Sequence, residues 1–177
     1  MRKTKFTKLL CLVLSLVMIL GAAPITGITA LAAPELSKGQ SFTTNKDGTG
    51  SGKVLTFTVT DGTNVSISTG TDYPYGPLNI PSSVEHQGVT YSVTSIGNDA
   101  FGYGQITSVS IPNSVTSIGE GAFENSGLTS VNIPSSVTSI GTYAFRSCDS
   151  LSSVSIPDSV QSIGNYAFED CGLTSVN

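Results

Sequence analysis

The cysteines Cys148 and Cys171 carry the side chains in this sequence best suited to redox or metal chemistry. They are 23 residues apart and occupy the same position in two copies of a repeated segment. If neighbouring copies stack as parallel strands do, equivalent residues lie about 4.8 Å apart. That spacing favours two buried thiols in a ladder, and it also permits a disulfide between the copies. No third or fourth ligand stands nearby in the sequence, so a metal site is not expected.

The other residues that could act as acids, bases or phosphate ligands form no recognisable catalytic set. His86 is the single histidine, and it follows Glu85 in a polar turn with no nucleophile placed beside it. The segment GTGSGK at residues 48–53 resembles a phosphate-binding loop. It has Asp47 where the first glycine is needed and Val54 where magnesium needs a hydroxyl group. The sequence therefore predicts no catalytic residue, no cofactor and no bound metal, and we expect no enzyme activity.

Polar residues that should point outward are the better candidates for function. In segments such as LTSVNIP, small polar residues alternate with apolar ones, as in a strand with one exposed face. The residues expected on that face are Ser130, Asn132, Ser153, Ser155 and Ser175. Tyr143 and Tyr166 share the position before Ala-Phe, and tyrosine among serine and asparagine is typical of recognition surfaces. These residues are the predicted partner-binding set, and ordinary solubility with partial packing is the alternative.

A repeated segment must position these residues. Measured from each Ile-Pro, one copy spans residues 111–132, the next 133–155 and the third 156–177. An earlier copy, residues 80–110, contains a nine-residue insertion at residues 84–92. A period of about 20–29 residues with a Leu-x-x-Val-x-Ile core indicates a leucine-rich-repeat solenoid.

Each copy is predicted to form one coil with its apolar side chains turned inward. Val131 and Ile133 alternate with Asn132, which is the period-two pattern of a strand. Pro134 then ends the strand because it has no N–H to donate. A single coil buries too little apolar surface to fold alone, so the stacking of copies has to complete the core. The residues predicted to align inside the coils are Phe101, Phe123, Phe145, Phe168, Ile118, Ile140 and Ile163.

The pattern LxxVxIPxSVxSIGxxAFxxC resembles the BspA-like leucine-rich repeat of bacterial secreted and surface proteins. It is most complete at residues 128–148 and 151–171, and the resemblance covers residues 78–177. The resemblance implies a right-handed, mainly β solenoid with parallel strands and short turns, often used for adhesion or protein binding. The family has no catalytic residues that could be assigned to positions of this sequence. Two earlier copies depart from the pattern, because Gly104 and Ser126 stand where the cysteine is expected.

The first 32 residues have the features of a signal peptide. A basic start precedes an apolar stretch at residues 9–20, and Ala-Leu-Ala at residues 30–32 provides a cleavage site. The stretch is short for a membrane span, although an uncleaved anchor is the alternative. After cleavage 4 basic and 12 acidic residues remain, because four of the 8 lysines and arginines belong to the signal. The resulting net charge, 4 minus 12, disfavours nucleic acid and anionic membrane surfaces as partners, and we expect no membrane insertion after cleavage.

The remaining chain divides into three predicted parts. Residues 33–52 are predicted to be a flexible leader, residues 53–77 an N-terminal hairpin that caps the first coil, and residues 78–177 the solenoid. An Asp-Gly pair at residues 61–62 is the expected hairpin turn. Apolar residues alternate over residues 89–93 of the insertion, which suggests an extra strand beside the first coil. The last coil is expected to leave an open strand edge, which favours a longer native chain or self-association.

These features together predict a non-catalytic module, secreted or on the cell surface, that recognises an unknown protein or glycan through the exposed strand face. The alternative is a structural spacer in a longer multidomain surface protein. Alanine in place of Asn132, Tyr143 and Tyr166 distinguishes the two hypotheses, because a binding module loses its partner and a spacer loses nothing.

Overall fold

A computed structural model describes residues 35–44, 54–69 and 75–176 of the chain. The predicted signal peptide, residues 1–32, lies outside the described residues, and so does the glycine-rich segment at residues 48–53. Strands and turns make up the described part. None of its segments forms a helix of the length and apolar character needed to cross a membrane.

The described residues form strands that pair mainly in parallel, with two strands from each regular coil. The strands are β1 (Ser41–Thr44), β2 (Leu55–Asp61), β3 (Asn64–Thr69), β4 (Tyr75–Asn79), β5 (Ser83–His86), β6 (Val89–Ile96), β7 (Gln105–Ser110), β8 (Ser117–Ile118), β9 (Ser130–Asn132), β10 (Ser139–Ile140), β11 (Ser153–Ser155), β12 (Ser162–Ile163) and β13 (Ser175–Val176). β8, β10 and β12 pair in parallel, which aligns Ile118, Ile140 and Ile163. β9, β11 and β13 form a second parallel sheet. This arrangement confirms the predicted β solenoid.

Parallel stacking extends into the N-terminal part of the chain. β6 pairs with β8 and β3 pairs with β6, so Ile67 and Ile96 continue the column of isoleucines. On the other side of the coil β4 pairs with β7, which places Leu78 opposite Val109. Stacking thus begins at β3, before the predicted solenoid boundary at Leu78. This coil could not be recognised in the sequence because the Ser-Ile pair of β3 is not followed by glycine. In the later coils a glycine follows the equivalent Ser-Ile pair.

The predicted flexible leader needs correction at residues 41–44. These residues form β1, which pairs antiparallel with β2 of the hairpin. Phe42 is 7% exposed, and its ring centroid lies 4.3 Å from that of His86. The rings of Tyr91 and Phe57 lie 5.3 and 5.5 Å from it. One apolar residue in a short polar segment gives no periodicity, so the sequence did not reveal this strand.

The insertion at residues 84–92 lies in an antiparallel hairpin of β5 and β6. Its turn is Gln87-Gly88, with φ values of 51° and 81°, and the type I′ hairpin turn requires positive φ at both central residues. β6 then continues to Ile96, where it joins the isoleucine column. The extra strand predicted over residues 89–93 is therefore the first part of a coil strand, and not a separate element.

The phenylalanines that follow alanine in each coil form one stacked file. Successive ring centroids are 5.5, 5.2 and 5.2 Å apart along Phe101, Phe123, Phe145 and Phe168. Ile118 and Ile140 are buried, as expected for core residues. Ile163 was predicted to be core, but it is 49% exposed. It lies in β12, the last strand of its sheet among the described residues, so no described strand covers its outer side.

Close approach between coils explains the glycine after the Ser-Ile pairs of β10 and β12. A Cβ on Gly141 would lie 2.6 Å from the nitrogen of Glu120 and 2.6 Å from the carbonyl carbon of Gly119. A Cβ on Gly164 would overlap the nitrogen of Thr142 in the same way. Neither glycine has a positive φ. The absence of a side chain is therefore what these positions require, because a methyl group would separate the coils.

Candidate functional site

The polar strand residues of the predicted set line up across β9, β11 and β13. Ser130, Ser153 and Ser175 are in register. Asn132 lies opposite Ser155. All are exposed except Ser153, which is half-buried. Strand alternation turns the intervening valines to the other side, so these five residues form a continuous polar surface that we call the serine face.

Tyr143 and Tyr166 form a separate surface. They follow β10 and β12 in the chain, whereas the serine face belongs to β9, β11 and β13, so the structure divides the predicted set into two surfaces. The two rings stack with centroids 5.5 Å apart and planes inclined by 8°. Tyr166 is 57% exposed and Tyr143 is half-buried. Both have positive φ, and the N–H of Tyr143 donates to the carbonyl of Asn165 at 3.1 Å, which holds the turn against the next coil.

A chain of polar contacts crosses the turns of successive coils. Arg146 donates from Nε to Glu169 Oε2 at 2.9 Å and from Nη1 to Glu124 Oε1 at 3.2 Å. Its guanidinium carbon lies 5.1 Å from the ring centroid of Tyr143. The hydroxyl of Tyr103 donates to Glu124 Oε2 at 3.3 Å. Sequence reasoning missed this chain, although the three charged residues all follow Ala-Phe and alternate in sign from coil to coil.

These contacts raise the pKa of two side chains. The hydrogen bond to Glu169 raises the pKa of Arg146, so its guanidinium stays charged. The negative charge of Glu124 raises the pKa of Tyr103, so the phenol stays protonated. Every other lysine and arginine precedes Val54 in the sequence. Arg146 is therefore the sole lysine or arginine from that point on in the sequence, and both of its ion pairs are with residues of the same chain.

A groove opens where the turns lead into the second sheet. Its volume is about 400 Å³, and the side chains that line it include Tyr103, Gln105, Thr107, Asn125, Ser147 and Asp149. Gly127 also lines it. The equivalent position is Gln105 in the preceding coil and Asp149-Ser150 in the following coil, which has one extra residue. Gly127 therefore stands between two larger neighbours in this column, and we call the groove the corner groove.

Cys148 and Cys171 are free thiols in consecutive coils. The Sγ of Cys148 donates to the carbonyl of Phe123 at 3.2 Å, and that of Cys171 donates to the carbonyl of Phe145 at 3.0 Å. Ser126 Oγ lies 3.3 Å from Cys148 Sγ, so the serine continues the ladder into the previous coil. Hydrogen bonding with Cys171 and Ser126 lowers the pKa of Cys148 to about 7, and the interaction with Cys148 together with burial raises the pKa of Cys171. Across the described ranges, no three His, Cys, Asp or Glu side chains converge as metal ligands.

Comparison with known proteins finds bacterial leucine-rich repeat proteins. The profile of the BspA type leucine rich repeat region matches residues 80–177 in six copies. A leucine-rich repeat protein from Bacteroides capillosus is 32% identical over 69% of this chain and 91% of its own length, with a TM-score of 0.60. Another, from Bacteroides ovatus, is 36% identical over 69% of this chain and 35% of its own length, with a TM-score of 0.58.

A more distant structure shares the fold alone. The pneumococcal vaccine antigen PcpA is 15% identical, with 80% of this chain and 50% of the antigen covered and a TM-score of 0.51. No curated protein matches the sequence. The comparisons therefore support the repeat architecture.

Proposed function

Because the chain belongs to the BspA-type leucine-rich repeat family, we propose that it is a non-catalytic binding module, secreted or on the cell surface. Proteins of this family are commonly binding or structural proteins. The partner is a protein or a glycan, and it contacts the serine face. The proposal needs no cofactor and no metal.

The register of the serine face is the observation that supports this function. Parallel pairing places chemically equivalent hydroxyl groups side by side in Ser130, Ser153 and Ser175. Asn132 and Ser155 add an amide and a further hydroxyl in the adjacent row. Such groups can donate and accept hydrogen bonds without the high desolvation cost of charged groups. A flat, uncharged, repeating array suits an extended partner with its own repeating polar groups.

The stacked tyrosines provide a second contact area for the same module. Tyr166 exposes more than half of its surface, and its ring is held parallel to that of Tyr143. Tyrosine contributes a large contact area while losing little conformational entropy, since it has two side-chain torsions. Because these rings lie apart from the serine face, their contribution can be measured independently.

Binding of the full-length labelled protein to a glycan array and to a panel of extracellular matrix proteins tests the proposal. The double variant Asn132→Ala, Ser155→Ala should lose at least about tenfold in affinity, since two hydrogen bonds contribute about 2 kcal/mol. Asn113→Ala is the matched control, because Asn113 is also an exposed asparagine but lies outside the serine face. A double variant that binds every partner as well as the wild type does would refute the role of this face.

A structural spacer is the second candidate function. The chain spans 35% of the Bacteroides ovatus protein and 50% of the pneumococcal antigen, so these repeats occur in longer proteins. A spacer would bind nothing on the glycan array or in the protein panel, and alanine at Asn132, Tyr143 and Tyr166 would change nothing. The binding proposal requires the opposite result.

A further inference from the structure

We propose that the corner groove is a binding site for a neutral carbohydrate, with room for a mono- or disaccharide. The groove shares no residue with the serine face, so this site is additional to the proposed function and can fail without it. Its volume of about 400 Å³ falls in the range of small-molecule sites. Three features of the groove point to a sugar: an exposed aromatic plane, polar walls and the absence of available positive charge.

Tyr103 supplies the aromatic plane. Its side chain is 59% exposed at one part of the groove. The hydroxyl is anchored to Glu124, and Glu124 is held in turn by Arg146. The backbone of Tyr103 is fixed as well, because its N–H donates to the carbonyl of Glu124 at 2.7 Å. A ring held in place at both ends loses little freedom when a ligand stacks on it, which favours binding to the apolar C–H face of a sugar.

The walls present hydrogen-bonding groups that match a polyol. Gln105 and Asn125 provide amides, Ser147 provides a hydroxyl and Asp149 provides a carboxylate. Each sugar hydroxyl can both donate and accept, so mixed amide and carboxylate partners satisfy it better than either a purely apolar or a cationic site. Side chains from three successive coils contribute to this wall, which makes the groove a property of the stack and not of one turn.

The charge around the groove excludes anionic ligands. Asp149 lies in the lining, and Arg146 is engaged by Glu124 and Glu169. No lysine or arginine lines the groove. A phosphate, sulfate or sialic acid would meet a carboxylate without a compensating cation. The carbohydrate is therefore neutral.

The experiment is a two-dimensional amide NMR titration of the full-length protein with named neutral sugars at millimolar concentration: mannose, galactose, N-acetylglucosamine, lactose and cellobiose. Glucuronic acid and N-acetylneuraminic acid serve as anionic probes. We expect saturable shifts of the Tyr103, Asn125 and Gly127 amides with at least one neutral sugar. We expect none with the anionic probes.

Variants of the groove separate stacking from hydrogen bonding. Tyr103→Ala should weaken binding about tenfold, the effect of losing roughly 1.4 kcal/mol of stacking. Tyr103→Phe keeps the ring and should retain most of the affinity, which also guards against misfolding of the alanine variant. Gln105→Ala should weaken binding, whereas Gln161→Ala, at another exposed glutamine, should not.

Several outcomes would overturn the proposal. These are no saturable shift with any of the five neutral sugars, shifts confined to the serine face, preferential binding of the anionic sugars, and unchanged affinity in both Tyr103→Ala and Gln105→Ala. Shifts confined to the serine face would support the proposed function while overturning the groove, and the other results leave the Asn132 and Ser155 test unaffected. Failure of the groove and failure of the proposed function therefore remain distinguishable.

Discussion

Replacing Phe123 by alanine should destabilise the protein far more than the same replacement at Phe168. Phe123 is fully buried, and its ring is stacked between Phe101 at 5.5 Å and Phe145 at 5.2 Å. Phe168 stacks on Phe145 at 5.2 Å and is partly exposed. The two replacements delete the same side chain from the same column, and they differ in how many neighbouring rings cover it.

The magnitude follows from burial and stacking. Removing a buried phenylalanine side chain costs about 3–5 kcal/mol, and an aromatic pair contributes about 0.5–1.5 kcal/mol beyond burial. Phe123→Ala loses full burial and two pairs, so we expect a cost of about 5 kcal/mol. Phe168→Ala loses partial burial and one pair, so we expect about 2 kcal/mol. The predicted difference of about 3 kcal/mol lies well above the error of an unfolding experiment.

Urea unfolding followed by far-ultraviolet circular dichroism measures both free energies. A cost of about 5 kcal/mol approaches the whole stability of a small domain, so the alanine variant could be unfolded. Phe123→Leu and Phe168→Leu therefore repeat the comparison with side chains that lose less buried surface. The dependence of free energy on urea must be the same in all variants, because a terminal coil can unfold separately in a repeat protein. Equal costs at the two positions would refute the idea that each coil is stabilised by both of its neighbours.

Two other perturbations test the close packing and the thiol ladder. Gly141→Ala should destabilise by about 1–3 kcal/mol and lower the thermal midpoint, because the new methyl group meets the backbone of Glu120 and Gly119; a raised midpoint would contradict this. Between pH 7 and pH 9 stability should rise, because the pKa of Cys148 is lowered to about 7 from 9.0 in the unfolded chain. Above that range the raised pKa of Cys171 should reverse the trend. In the variant Cys148→Ser the rise in stability between pH 7 and pH 9 should be absent. If urea titrations still show the rise in this variant, the Cys148 thiol is not its source.

The stacked fold could be predicted because every coil repeats its structural residues at fixed offsets. Ile-Pro, Ser-Ile-Gly and Ala-Phe recur with the same spacing, so identical side chains must meet when the coils pair in parallel. The isoleucine column and the phenylalanine file follow from that repetition alone. No tertiary information beyond parallel stacking was needed.

Features that depend on differences between coils could not be predicted in the same way. The lining of the corner groove changes from coil to coil, from Gln105 through Gly127 to Asp149-Ser150 with its extra residue, and an averaged repeat does not contain that difference. Ile163 carries the same sequence signal as Ile140, but its burial depends on a further strand that a single repeat does not specify. Phe42 packs through contacts between distant segments, which local periodicity cannot report.

Each coil contains two left-handed backbone positions whose residues have little in common. The first is occupied by Asp99, Gly121, Tyr143 and Tyr166, with φ values of 50°, 58°, 58° and 60°. The second is occupied by Tyr103, Asn125, Ser147 and Asp170, with φ values of 57°, 53°, 55° and 54°. A conformation shared by tyrosine, glycine, serine and aspartate cannot come from the intrinsic preference of any one residue.

Backbone pairing between coils imposes this conformation instead. At the second position the N–H groups of Tyr103, Asn125 and Ser147 donate to carbonyls of the next coil at 2.7, 2.8 and 2.8 Å. Left-handed strain of about 1–3 kcal/mol per residue persists only where the surroundings fix the backbone in this way. Folding therefore places little demand on the side chains at these positions. The same three residues line the corner groove, so its chemistry can be selected for a ligand without disturbing the coil that carries it.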